Sequence, residues 1–332
     1  MTAPFAIDVH THFVPERFAA APAPDTRDWP SMAPGSSCGH ANVMINGKNY
    51  RTVSDRCWSA ARRIEDMPGM GVTRQVISPM PELLSYWLPV EHARVILRDM
   101  NEQLAALVNA HPDRFHGLGA LPLQDVPAAL EELEHIKKLG LIGVEIGSNI
   151  NGRDIGDPEF EPFFAAAERL DMAVFVHSLK PRVKFGGPTQ LGPVVGFPFE
   201  SGMAAVSAIT SNLVVRHPRL RICFSHGGGA LPSLLARFHH CYQSLPPLKE
   251  AMPTAPADQA RLMYYDCCVF SVPGIRHLIE VFGEDRLVAG SDYPFARAET
   301  EPIAKIEAAT LDEDIRSKLR YRNALAFLGL KS

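Results

Sequence analysis

Short apolar runs alternate with longer amphipathic stretches along most of this chain. The runs at 5–9, 72–78, 115–120, 140–146, 173–177, 221–225, 263–267 and 286–289 predict strands. Stretches of helical period at 90–110, 126–139, 159–170, 230–245 and 275–282 follow most of them. Eight such units in 332 residues predict an α/β fold, a (β/α)8 barrel of the TIM type. A doubly wound open sheet is the alternative. No glycine-rich dinucleotide loop follows the first run, which counts against the nucleotide-binding form of that sheet.

Two segments break the rhythm. Residues 13–65 are rich in Pro, Ala, Ser and Gly, and Asn46-Gly47 is a turn signal. They predict a small inserted hairpin or lid after the first strand. Residues 178–200 carry Lys180, Arg182 and Lys184, then Gly186-Gly187-Pro188. Both segments leave the C-terminal end of a strand, where barrels place their active sites. With no internal repeat and no composition break, residues 1–332 read as one domain.

The candidate chemistry sits where the apolar runs end. The first run leads into Asp8-Val9-His10-Thr11-His12. Positions i and i+2 of a strand share a face, so His10 and His12 project together. His177 ends Ala-Val-Phe-Val-His, and His226 ends Arg-Ile-Cys-Phe-Ser-His before Gly227-Gly228-Gly229. Asp292 follows Leu287-Val288-Ala289-Gly290-Ser291. Taken singly, His177 reads as a hydrogen-bonded core histidine, Asp292 as a turn residue and His226 as a helix cap. On a barrel all these strand ends open at one mouth, and together they suit a single Zn²⁺ or similar divalent ion. A catalytic ion keeps a limited ligand set and one open position. His10, His12, His177 and Asp292 are therefore assigned as ligands. His226 is left as general base and acid, since neutral imidazole titrates near working pH.

Other features narrow the function less. A net charge of −4 gives no basic field for nucleic acid or a membrane surface, although a local pocket can still be basic. No apolar run reaches the roughly 20 residues that span a bilayer, and the start does not read as a secretory signal. Six scattered cysteines without a CxxC pair predict reduced thiols in a cytoplasmic protein. His111, His116, His135 and His217 read as residues of loops and helix ends, and His239-His240 as helix positions. Glu132, Lys137 and Lys138 read as a solvated helix face, and Glu145 as a paired carboxylate inside the barrel.

These residues carry a resemblance. Ile-Asp-Val-His-Thr-His-Phe, Gly-Lys-Asn-Tyr-Arg, Arg-Ile-Glu-Asp-Met, Leu-Pro-Leu-Gln-Asp and Val-Phe-Val-His occur in order. Arg-Ile-Cys-Phe-Ser-His-Gly-Gly-Gly and Gly-Glu-Asp-Arg-Leu-Val-Ala-Gly-Ser-Asp-Tyr-Pro-Phe follow. The chain resembles the amidohydrolase-2 branch of the amidohydrolase superfamily. Within that branch it is most similar to the 2-amino-3-carboxymuconate-6-semialdehyde decarboxylase family. The resemblance implies one zinc ion on His10, His12, His177 and Asp292, with His226 as catalytic acid and base. It implies loss of CO₂ without oxygen, pyridoxal or thiamine. It also implies that Arg51 and Arg237 bind substrate carboxylates, Arg237 from across a homodimer interface. The family's Trp-containing segment after the fifth strand has no Trp here, and its three basic residues predict a more basic cavity wall.

The expected activity is metal-dependent, non-oxidative decarboxylation of a small unsaturated or aromatic carboxylic acid. A metal-dependent hydrolase or hydratase would use the same scaffold and the same ligands. A non-catalytic metal-binding or ligand-sensing protein is the rival of a different class, and His226 beside a full ligand set argues against it.

Overall fold

A computed structural model describes residues 5–331 apart from 23–25, 27 and 184–190. Lys184 and Gly186-Gly187-Pro188 lie outside the described residues.

All eight expected barrel strands form, and they lie in one parallel sheet. In chain order the strands are β1 (Ile7–Phe13), β2 (Ser31–Pro34), β3 (His40–Ile45), β4 (Lys48–Ser54), β5 (Arg74–Pro79), β6 (Phe115–Gly119) and β7 (Gly143–Gly147). They continue with β8 (Asn149–Ile150), β9 (Arg153–Asp154), β10 (Ala173–His177), β11 (Ile222–Phe224), β12 (Tyr264–Asp266) and β13 (Leu287–Val288). The large sheet runs β1-β5-β6-β7-β10-β11-β12-β13. It closes where Val9 N–H donates to Ala289 O at 2.9 Å and His12 N–H donates to Tyr293 O at 2.7 Å. The architecture is the (β/α)8 barrel that the alternating pattern predicts.

Alternation along each strand sorts side chains into two cores. In β10, Ala173 and Phe175 face the barrel interior with Ile7, Val76, Leu118, Cys223 and Val288. Val174 and Val176 face the surrounding helices. The short helix Asn323–Leu328 contributes Phe327 and Leu328 to the interior cluster and packs against β1 and β13. Ile7 and Val9 point inward, yet so do His10 and His12. A register shift between Asp8 and Thr11 makes this possible. One extra residue in a strand reverses its parity, so the bulge delivers both histidines to the interior.

The insert is larger than a hairpin. β2, β3 and β4 form a three-stranded antiparallel sheet. Its tightest turn is Asn46-Gly47, with φ of 54° and 68°, the left-handed pair that a two-residue hairpin turn requires. The helix Ala60–Asp66 then ties the insert to the barrel. Arg63 is fully buried and donates to the carbonyls of His12 and Cys57. Asp66 accepts from Arg56 at 2.5 Å and from the Tyr293 hydroxyl at 2.9 Å.

Two expectations about single residues fail here. Glu132 is buried, because Arg98 and Asn101 on the neighbouring helix Val90–Ala110 hydrogen-bond its carboxylate at 2.6 and 3.0 Å. His116 lies within β6 rather than in a loop. No helix among the described residues is long and apolar enough to cross a membrane.

Candidate metal centre and its cavity

His10, His12, His177 and Asp292 meet at the C-terminal mouth of the barrel. One donor atom from each lies within 4.8 Å of the others. The Nε2 atoms of His10 and His12 are 3.1 Å apart. Asp292 Oδ1 is 3.0 Å from His12 Nε2 and 3.5 Å from His10 Nε2.

Each imidazole is aimed by a partner on its other nitrogen. His10 Nδ1 pairs with Asp266 Oδ2 at 2.6 Å. His12 Nδ1 faces Pro79 O at 3.3 Å, and His177 Nδ1 faces Ser178 O at 2.9 Å. Acceptors on Nδ1 place its proton there and leave the Nε2 lone pair free to ligate. Among the described residues, the buried His177 Nε2 has no hydrogen-bond partner. Two inward lone pairs at 3.1 Å and one orphaned nitrogen beside a carboxylate fit a divalent cation between them. The residues therefore suit the ion that their chemistry implies.

The electrostatics agree. Burial opposes charge on His10, but Asp266, Asp292 and Glu145 raise its pKa to about 9. The field that favours a proton there also attracts a metal ion. Burial lowers His12 to about 4 and holds His177 well below the usual histidine value, so both favour the neutral, ligating form. Burial opposes ionisation of Asp292, yet His12 and His10 hold its carboxyl far below the carboxylate range. Glu145 is buried and accepts from Ser78 Oγ, with Oε2 3.9 Å from His12 Nδ1. Burial raises its pKa to about 8.

His226 stands next to the ligand group. Its ring centre is 5.2 Å from that of His10 and 5.1 Å from that of His177. Its buried Nδ1 has no hydrogen-bond partner among the described residues, and burial and His10 lower its pKa. His226 itself has φ of 55°, and the glycines after it continue in left-handed geometry. A Cβ on Gly229 would fall 1.9 Å from Pro198 O, so only glycine fits there.

A cavity of about 870 Å³ opens over this group. His177, His226 and Asp292 form part of its lining, and Arg51, Glu82 and Phe295 form another part. Arg51, on β4 of the insert, donates to Glu82 at 2.8 Å and lies 4.5 Å from the Phe295 ring centre. Phe295 stacks on His12 with ring centres 5.0 Å apart. Arg51 therefore reaches the centre through one aromatic ring.

Arg237 is not at this cavity. It is exposed on the helix Leu231–Ser244. Two of the three basic residues expected in the cavity wall after the fifth barrel strand, Lys180 and Arg182, are turned elsewhere. Lys180 lies over Trp87 at 3.3 Å, and Arg182 pairs with Asp154 at 2.6 Å and with Glu200. Both line a separate small cavity of about 130 Å³.

Asp266 and Glu82 escaped the sequence reading. Asp266 ends β12 as His177 ends β10, and a carboxylate at a strand end was the available signal. Glu82 has none in sequence, since only the folded insert brings Arg51 to it.

The sequence profile of the Amidohydrolase family matches residues 7–330. The chain belongs to that family. A 2-amino-3-carboxymuconate-6-semialdehyde decarboxylase of Dictyostelium discoideum is 34% identical, covering 98% of this amidohydrolase-family chain and 91% of its own length. A gamma-resorcylate decarboxylase of Rhodococcus jostii is 31% identical, covering 72% of the chain and 78% of its own length. Among solved structures, the Metarhizium anisopliae IDCase in apo form superposes with a TM-score of 0.81 at 21% identity. It covers 99% of the chain and 98% of its own, and that likeness bears on the fold.

Proposed function

We propose that this protein is a metal-dependent, non-oxidative decarboxylase of a small unsaturated or aromatic carboxylic acid. One observation carries the reading: His10, His12, His177 and Asp292 converge beside His226, under a cavity that Arg51 lines. Relatives that are decarboxylases support the reaction class.

His10, His12, His177 and Asp292 would hold the ion, and three imidazoles with one carboxylate suit zinc. Bound there, zinc supplies positive charge that stabilises electron density developing on the substrate. The guanidinium of Arg51 orients a substrate carboxylate by charge-assisted hydrogen bonds. His226 gives a proton to the carbon that bears the carboxylate. That carbon becomes tetrahedral, and its bond to the carboxylate carbon breaks. The bonding electron pair returns to the conjugated system as CO₂ leaves, so no oxidant is consumed. Asp292 serves the reaction by holding its charge next to His10 and His12.

The proposal takes residues 1–332 as one catalytic unit and a homodimer as the working form, with Arg237 reaching the partner's cavity. Support for the dimer comes from Leu234 and Met203, each 46% exposed, on the helices Leu231–Ser244 and Phe197–Thr210. Large exposed apolar side chains on packed helices suit an interface. Six free cysteines suit a reducing, cytoplasmic setting.

The test is CO₂ release from carboxylated muconates, hydroxybenzoates and aminobenzoates, using protein of known metal content. One member should release CO₂, chelation should abolish release, and zinc should restore it. Hydrated or ring-opened product without CO₂ would replace this reading with the hydrolase or hydratase.

A further inference from the structure

Two imidazoles face the cavity at the ends of β10 and β11, and each is held through a neighbouring serine. Ser178 O accepts from His177 Nδ1 at 2.9 Å. Ser225 O accepts from Gly228 N–H at 3.1 Å and closes the turn that carries His226. The side chains of these two serines meet on a third, Ser201 of the helix Phe197–Thr210. Ser201 Oγ is 2.6 Å from Ser178 Oγ and 3.2 Å from Ser225 Oγ, and all three residues are buried.

The direction of this chain of hydroxyls is fixed. Ser178 Oγ donates to Phe197 O at 2.8 Å. A carbonyl only accepts, and a hydroxyl holds one proton. Ser178 must therefore accept from Ser201, and Ser201 from Ser225. Hydrogen bonds that run one way polarise one another. The same helix grips the far end of the glycine turn, where Ala230 N–H donates to Pro198 O at 3.0 Å. His177, Phe197, Pro198, His226 and Gly229 all line the cavity. His226 has φ of 55°, a left-handed conformation that a residue with a Cβ keeps only when its surroundings hold it.

We propose that Ser201 is a positioning residue whose hydroxyl sets His226 relative to the ligand candidate His177. It acts through Ser225 on one side and Ser178 on the other. Removing the hydroxyl leaves Ser178 without a donor and Ser225 with a buried proton that has no acceptor. The turn is then free to relax from its left-handed geometry, and His226 drifts from the atom that it protonates. Misplacing an acid–base group slows the chemical step and leaves substrate binding largely intact. The proposal rests on the decarboxylase reading only for the proton step.

The experiment compares zinc-loaded wild type, Ser201→Ala, Ser201→Cys, Ser225→Ala and the double variant of Ser201→Ala with Ser225→Ala. One readout is kcat and KM for CO₂ release. The other needs no substrate: the rate at which diethyl pyrocarbonate modifies His226, followed by mass spectrometry. Ser201→Ala should lower kcat roughly tenfold, the size of one buried donor left unsatisfied, with KM and metal content unchanged. Its His226 should be modified faster as the turn loosens. Ser201→Cys keeps a weak donor and should fall between Ser201→Ala and wild type. The double variant should lose no more than Ser201→Ala alone, because both changes cut the same link. Wild-type kcat or an unchanged modification rate in Ser201→Ala, a rise in KM matching the fall in kcat, Ser201→Cys no better than Ser201→Ala, or losses that add in the double variant would each overturn the proposal. Where Ser201→Ala does not fold, Ser225→Ala, which cuts only the Ser225 bond, decides by the same two readouts. Faster modification of His226 in Ser201→Ala, without CO₂ from any substrate, would overturn the decarboxylase reading alone. Release of CO₂ with kcat and modification rate both unchanged in Ser201→Ala would overturn this assignment alone.

Discussion

Asp266 pairs with His10 Nδ1 at 2.6 Å across 256 residues of chain. Its other oxygen accepts the backbone N–H groups of Gly227 and Cys268, each at 3.0 Å. One carboxylate therefore aims a metal-ligand candidate and pins the turn that carries His226. Burial works against ionisation of Asp266, but His10 and the Gly227 N–H hold its pKa below the usual range.

Asp266→Asn should weaken metal binding roughly 10- to 100-fold, the usual cost of removing a ligand's orienting partner. Metal content after dialysis against a graded chelator measures it. An unchanged metal affinity would remove Asp266 from the centre's support.

His226→Asn should leave the metal in place and slow CO₂ release by roughly 10²- to 10⁴-fold, the range for loss of a general acid–base group. Metal analysis and turnover on the same sample separate the two effects. Full activity would transfer the proton step to another group.

Glu132→Ala should destabilise the fold by about 1–3 kcal/mol, because Asn101 and Arg98 lose a carboxylate that is buried between two helices. Glu132→Gln should cost less, since it can still accept from Asn101. Urea unfolding with a constant slope checks both. A cost for Glu132→Ala within about 0.5 kcal/mol would return Glu132 to the solvated face that its sequence window suggests.

His116 links stability to pH at a distance from the centre. Burial, with help from Arg74, lowers its pKa from 6.5 to about 4, and its Nε2 is buried without a partner. Between those values the unfolded chain takes up a proton that the folded chain refuses. This group's effect is absent above pH 6.5, and stability falls as pH drops from there toward 4, by on the order of 2 kcal/mol. His116→Gln should flatten that part of the profile. An identical slope in wild type and variant would show that other groups set it.

Much of the barrel was legible because its strands are short apolar runs and its helices are amphipathic. The helix Val90–Ala110 has the bounds that its periodicity predicts. Asn46-Gly47 turns as its residues require. Glu132 was misread because helix periodicity cannot tell whether a neighbouring helix brings an arginine and an amide to that face. Lys180 and Arg182 were misplaced for a similar reason. Trp87, Asp154 and Glu200 come from three other segments, and they draw the two cations away from the main cavity.

The sequence by itself determined the eight strands, the strand-end positions of His10, His12, His177, His226 and Asp292, and the family. Strand period and chain order fix the strands and their ends, and the motifs around those residues carry the resemblance to the family. The tertiary structure alone decided the rest. The bulge between Asp8 and Thr11 turns two histidines into an interior that Ile7 and Val9 already face. Barrel closure brings Asp292 N–H to His10 O at 2.8 Å. The folded insert matches Arg51 to Glu82 at the edge of the cavity. Parity, closure and charge matching depend on contacts between distant segments, and no local pattern encodes them.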